Sequence, residues 1–122
     1  MHILVVDDDA LAGEMISATL EMLDHTVTLA ENGIEAIEQI ENVPNLNLII
    51  SDMNMPIMSG IELFQMLLEN GVKLPFILLT GDDPSPLLIQ EPRLSACVLK
   101  DYSLDQTLPY LIASVMQAHQ EA

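Results

Sequence analysis

The stretch "LIISDMNMPIMSG", Leu48–Gly60, raises the question that decides how the chain folds. It begins as an apolar run suited to a strand covered on both faces, yet it delivers a carboxylate, Asp52, and then turns through Pro56 to Gly60. A charged group at the mouth of a buried strand loses hydration. Something elsewhere in the chain must compensate that loss or use it.

Outward from this stretch, short apolar runs alternate with amphipathic ones, with no repeat, linker or low-complexity segment. "HILVVDD" opens as an Ile/Leu/Val strand, and "ALAGEMISATLEML" follows with Leu11, Met15, Ile16, Leu20 and Leu23 at helical spacing. "TVTLA" reads as a strand, "GIEAIEQI" as a helix and "LNLIIS" as the third strand. "GIELFQMLLEN" reads as a helix closed by a left-handed cap at Gly71, and "PFILLT" and "ACVL" complete five strands. "LDQTLPYLIASVMQAHQ" is predicted to form a last helix that Pro109 bends or limits in its first turns. Five strand and helix alternations predict an α/β fold with a parallel sheet between two layers of helices.

In such sheets ligands bind beyond the carboxyl ends of the strands. This chain places Asp7, Asp8 and Asp9 there after strand one, Asp52 after strand three, Thr80 after strand four and Lys100 after strand five. Strand two ends in Ala30 and Glu31, outside the pattern. Three converging carboxylates repel, each pair at about 4 Å costing roughly 4 kcal/mol at an effective dielectric of 20. They call for a hard divalent cation with oxygen ligands, Mg²⁺ or Mn²⁺ in preference to zinc, since neither Cys nor His lies in the motif.

Composition narrows the partners. The 122 residues are read as one domain, 1–122, half of them hydrophobic, with 3 Lys and Arg against 19 acids and a net charge of −16. So acidic a chain is repelled by nucleic acid and anionic membrane, and it favours cations and basic protein surfaces. No apolar run reaches the length of a membrane span, and Asp7–Asp9 interrupt the N-terminal apolar segment before it makes a signal peptide. The expectation is a cytoplasmic protein with no membrane insertion. A single cysteine, Cys97, allows no internal disulfide and is read as a small buried hydrophobe.

The acidic pair, the "DMNMPIMSG" stretch, Thr80 and Lys100, in that order across five strands, resemble the receiver domain of bacterial response regulators. The resemblance runs from Ile3 to about Gln117. It implies a flavodoxin-like doubly wound sheet of order 2-1-3-4-5, and a phosphoacceptor signalling domain that catalyses only its own modification. At matching positions it implies that Asp52 is the phosphoacceptor and that Asp8 and Asp52 ligate Mg²⁺ directly. Asp7 then acts through a bound water, and the backbone carbonyl of Asn54 supplies a further ligand. Lys100 and Thr80 would hold the phosphoryl group. The implied partners are a sensor histidine kinase or histidine phosphotransfer domain and a downstream protein target.

Residues also have plainer readings. Asp9 is read as the cap of the first helix, and Pro56 and Gly60 as residues that shape a turn. Two departures from the family stand out: Cys97 where an aromatic is usual, and Asp101 where a proline usually follows the lysine. "GDDPSPLLIQEPRLS" leaves room only for a shortened or irregular fourth helix starting near Pro86. Two rivals follow. One is a degenerate receiver that binds protein without being phosphorylated. The other is a haloacid dehalogenase-type phosphatase, with Asp7 as nucleophile and Asp9 as acid/base. No effector module follows within the chain, so output is expected by contact unless a C-terminal piece is missing.

Overall fold

The computed structural model describes residues 1–121. The elements are β1 (His2–Val6), α1 (Ala10–Met22), β2 (Thr26–Ala30), α2 (Gly33–Asn42), β3 (Leu46–Asp52), α3 (Gly60–Glu69), β4 (Phe76–Thr80), α4 (Ser85–Gln90), β5 (Ala96–Leu99) and α5 (Leu104–Glu121). All strand pairs are parallel, in the order β2-β1-β3-β4-β5, as expected from the resemblance.

Alternation along the central strands divides the core. Ile3, Val5, Leu48, Ile50, Ile77 and Leu79 face α1 and α5, packing on Ile16, Leu20, Leu104, Leu108, Ile112 and Val115. Leu4, Val6, Ile49, Phe76 and Leu78 face the other way, onto Ile61, Leu63, Phe64 and Leu67 of α3. Because β1, β3 and β4 bury both faces, they read as continuous apolar runs, and the edge strand β2 does not.

Helix ends follow local chemistry. Asp9 caps α1, its carboxylate accepting from the Leu11 and Ala12 amides, and Ser59 and Glu62 form a reciprocal capping box on α3. Gly71 takes the left-handed conformation expected after α3, with φ 79°. Pro109 lies inside α5, which runs on through it, so the proline does not shorten that helix. Asp101 answers the question its position raised. Its carboxylate accepts from the Ser103 amide and hydroxyl at 2.9 and 2.7 Å, and its carbonyl accepts from the Leu104 amide, which together turn the chain into α5. The reading of α1 needs correction in one respect. Of its five apolar positions at helical spacing, Ile16 and Leu20 are buried, whereas Leu11, Met15 and Leu23 are exposed. Gly13 and Ser17 complete the buried face instead, because close approach of the helix to the sheet favours small side chains there.

The expected short fourth helix is six residues with none buried. It ends at Glu91, a carboxylate only 3 % exposed that accepts from Arg93 Nε and Nη2 at 2.8 and 2.7 Å and from Gln65 Nε2 of α3 at 3.3 Å. The Arg93 hydrogen bonds hold its pKa down at about 2 against the penalty of burial. A carboxylate depressed in this way stabilises the fold above its ordinary value of 4.5, and that contribution is lost as pH falls towards 2. Glu91→Gln is therefore expected to be less stable than the wild type to urea at neutral pH, by about 1 kcal/mol, because solvent screens the exposed Arg93 partner. The difference should shrink as the titration is carried below pH 4.

Candidate functional site

Strand register brings the predicted residues together. Val6 pairs with Ser51, Asp52 with Leu79 and Thr80 with Leu99, so Asp7, Asp52, Thr80 and Lys100 leave adjacent strands at the same edge. The backbone continues the ladder past the strands, from the Asp7 amide to the Ala30 carbonyl, Met53 to Leu79 and Lys100 to Thr80. Asp7, Asp52 and Thr80 are buried, Asp8 is exposed, and Asn54 is exposed on the loop beyond β3.

Carboxylate oxygens of Asp7, Asp8 and Asp52 all lie within 4.8 Å of one another. Lys100 Nζ is 2.6 Å from Asp7 Oδ2 and 3.6 Å from Asp52 Oδ2. Asp7 Oδ1 accepts from the Asp9 amide at 2.9 Å, so both its oxygens are engaged. Burial raises the pKa of Asp52, repulsion from Asp7 and Asp8 adds to the rise, and Lys100 opposes it. For Lys100, burial works against the charged form, but the hydrogen bond to Asp7 and the fields of Asp52 and Asp7 outweigh it, and its pKa is raised. Ionised together, three carboxylates and one ammonium leave two negative charges in the pocket. An all-oxygen donor set with that residual charge fits one divalent hard cation, and Asp7, Asp8 and Asp52 are the side chains that could hold it.

The Thr80 hydroxyl accepts from the Asp82 amide at 3.2 Å, tying it to the loop before α4. Cys97 is buried among α3-side residues, as expected of a small hydrophobe. The geometry disfavours Asp7 as a nucleophile and Asp9 as an acid/base, since Asp7 is spoken for by Lys100 and the Asp9 amide, and Asp9 caps α1.

Three features were not read from the sequence. Gly60 does not form a turn: it lets α3 start against the strand end, with the Gly60 amide donating to the Met53 carbonyl and a Cβ there lying 2.4 Å from the Asp52 carbonyl oxygen. The Glu91–Arg93 pair was missed, although a glutamate two residues before one of only three basic residues was a signal. Ile57, 77 % exposed, adopts φ 73°, a left-handed conformation unfavourable for a β-branched residue. Relieving about 1 to 2 kcal/mol of backbone strain against glycine's entropy of roughly 0.5 to 1 kcal/mol, Ile57→Gly is expected to gain up to about 1 kcal/mol of stability. An unchanged or lower urea midpoint would count against strain at this position.

The model of the response regulator receiver domain family matches residues 3–110. The response regulator MprA of Mycobacterium ulcerans is 36 % identical over 83 residues, which cover 68 % of this chain and 35 % of that protein. The chain thus spans about a third of the length of the curated relatives of this kind. Among solved structures, the Francisella response regulator 1452 receiver domain superposes with a TM-score of 0.84 at 26 % identity, covering 96 % of this chain and 98 % of that one. The Thermotoga maritima response regulator TrrA, crystallised in complex with Mg²⁺-BeF, gives 0.81 at 26 % identity, covering 93 % and 97 %.

Proposed function

Since the chain belongs to the response regulator receiver family, a family of phosphoacceptor signalling modules rather than true enzymes, we propose that Asp52 is its phosphoacceptor. The donor is a histidine kinase or histidine phosphotransfer domain, and a small acyl phosphate can substitute. The observation that carries this reading is the position of Lys100 Nζ, in contact with Asp7 and 3.6 Å from an Asp52 oxygen at the strand mouth.

In the transfer, an Asp52 oxygen bonds to phosphorus as the P–N bond of the donor phosphohistidine breaks, and the departing imidazole nitrogen keeps that bond's electron pair and takes a proton from water. A carboxylate is a poor nucleophile here, so the site must position it and neutralise charge on the equatorial oxygens. Asp8, Asp52 and the Asn54 carbonyl, with Asp7 acting through water, would hold Mg²⁺ or Mn²⁺, which when bound would supply part of that neutralisation. The Lys100 ammonium supplies another part, moving from its carboxylate partners to a phosphoryl oxygen. Thr80 donates its hydroxyl to a second phosphoryl oxygen. TrrA, crystallised with Mg²⁺-BeF, supports the same metal and phosphoryl mimic here.

A protein donor is supported by the surface around the pocket. Leu11 and Met15 of α1, 67 % and 64 % exposed, lead away from the acidic cluster. A groove of about 350 Å³ between α1 and α5, lined by Met15, Ile16, Leu104 and Leu108 among others, reaches Lys100. Apolar contact flanked by so acidic a surface suits a partner with basic residues around an apolar stripe. No helix among the described residues is long and apolar enough to cross a membrane. A cytoplasmic setting, where kinases supply phosphohistidine, accords with this reading, as does a single receiver domain over residues 1–122 acting on a downstream protein.

The test is intact mass after incubation with Mg²⁺ and acetyl phosphate, beside a metal-free control. One phosphoryl group that requires metal supports the proposal. No adduct with acetyl phosphate or with a panel of phosphohistidine donors would overturn it and favour an unphosphorylated binding module.

A further inference from the structure

Among the described polar side chains Ser51 is the most deeply buried, at 0 % exposure, and the transfer chemistry gives it no part. By strand alternation it faces the α3 layer, as Ile49 does, and its register partners Val6 and Leu78 both belong to the apolar cluster on that face. A hydroxyl in such surroundings costs free energy unless it is hydrogen-bonded. Ser51 Oγ donates to the Asp52 carbonyl at 3.0 Å. That carbonyl belongs to the peptide unit joining Asp52 to Met53. The other polar group of the same unit, the Met53 amide, donates to the Leu79 carbonyl of β4 at 2.8 Å. Both sides of one peptide plane are therefore held, at the point where β3 ends and the loop carrying Asn54 begins. The plane fixes ψ at Asp52, and so the direction in which that loop leaves the strand.

We propose that Ser51 is a positioning residue for phosphoryl transfer: its buried hydroxyl fixes the Asp52–Met53 peptide plane, and with it the placement of the Asp52 carboxylate relative to the Asn54 carbonyl. Ser51 itself touches neither the metal nor the phosphoryl group. The proposal rests on the reading of Asp52 as phosphoacceptor, because the alignment matters only when both groups face one metal and one phosphorus. Without the hydroxyl, the plane is held from the β4 side alone. Small misplacements of a reacting oxygen are costly in rate, up to roughly 10²-fold for 1 Å. Ser51 is also small, which suits close packing beside Leu78, and the variants below separate the hydroxyl from the size.

Initial rates of phosphorylation by acetyl phosphate are followed by intact mass on the whole chain, at saturating Mg²⁺ and without denaturant, for the wild type, Ser51→Ala, Ser51→Thr and Gly71→Ala. Ser51→Ala keeps the small size and every group of the site. It is expected to react at least about tenfold more slowly and to bind beryllofluoride, read by fluorine NMR, at least about fivefold more weakly. Its Met53 amide is expected to exchange with solvent about tenfold faster, which reports the loosened plane directly. Ser51→Thr, which restores a hydroxyl, should react within about threefold of the wild type. Gly71→Ala, destabilised away from the site, should react at the wild-type rate. A wild-type rate and beryllofluoride affinity in Ser51→Ala overturn the positioning role and leave the phosphoacceptor reading intact. Equal losses in Ser51→Ala and Ser51→Thr overturn it by assigning the effect to packing, and equal losses in Ser51→Ala and Gly71→Ala overturn it by assigning the effect to stability. Should the added methyl keep Ser51→Thr from folding, the comparison with Gly71→Ala decides alone. A wild type that takes up no phosphoryl group overturns both readings.

Discussion

Asp52→Asn is expected to take up no phosphoryl group from acetyl phosphate in Mg²⁺ and, in metal-free buffer, to be more stable than the wild type. The first half follows from the amide, which cannot form the acyl phosphate. The second follows from the cluster. With one oxygen of each within 4.8 Å of the others, every pair of carboxylates repels by roughly 3 kcal/mol or more at an effective dielectric of 20, and Lys100 answers only part of that because it is bonded more closely to Asp7. The net gain on removing one charge is expected to be about 1 kcal/mol after that offset. Its pH dependence has a defined sign. The folded pKa of Asp52 is raised above 3.8, so the stability this group confers is whole below that value and is lost as pH rises through the folded value. The variant, uncharged throughout, should match the wild type in acid and exceed it near neutrality. Added Mg²⁺ should reverse the order, since metal binding stabilises the folded state of the intact cluster. Lys100→Ala should behave oppositely, retaining the acceptor while slowing transfer by about 10²-fold and losing stability, because it strands buried Asp7 without its ammonium. Chemical denaturation with and without Mg²⁺, paired with intact mass, checks both variants. A wild type that outlasts Asp52→Asn without metal would show that the cluster is not electrostatically strained.

The parts of this site legible in the sequence are those whose chemistry is unusual for their place. An aspartate ending an apolar strand, two more after β1 and a lysine in a chain nearly devoid of bases each break a pattern, and parallel register brings such strand-end residues to one edge. What remained illegible depends on three-dimensional approach. Leu11 and Met15 have the spacing of a buried helical face, but periodicity alone does not say which side of α1 meets the sheet, and the small Gly13 and Ser17 took that side. Asp101 stands where a proline is usual, and only the fold brings its carboxylate to Ser103; nothing in the sequence alone places Arg93 and Gln65 together around Glu91. Hydrogen-bond partners at such positions leave a weaker mark on sequence than hydrophobic period does.

Gly60→Ala is expected to cost the most stability of the five glycine-to-alanine changes, about 3 kcal/mol, at the upper end for overpacking. A Cβ at this position lies 2.4 Å from the Asp52 carbonyl oxygen, 2.5 Å from Leu78 Cδ1 and 3.1 Å from Met53 Cα. Leu78 is fully buried, and the Asp52 carbonyl oxygen also accepts from the Ser51 hydroxyl, so neither can step aside freely. The helix must move instead. Two other glycines calibrate the claim. At Gly33 the obstacle is the Met58 side chain, whose sulfur lies 2.8 Å away but belongs to a flexible chain, so Gly33→Ala should cost less than about 1 kcal/mol. At Gly71 nothing lies within 4 Å and only the positive φ resists, so Gly71→Ala should cost about 1 to 2 kcal/mol. Because the clash at Gly60 falls on the backbone of Asp52, its effect should also reach the site. Mg²⁺ affinity, titrated on the folded fraction in mild conditions, should drop at least tenfold in Gly60→Ala and stay unchanged in Gly71→Ala. Equal losses in the two variants would mean that general stability governs the metal site; a loss confined to Gly60→Ala would mean that the close seat of α3 on the end of β3 holds Asp52 in register with Asp7 and Asp8.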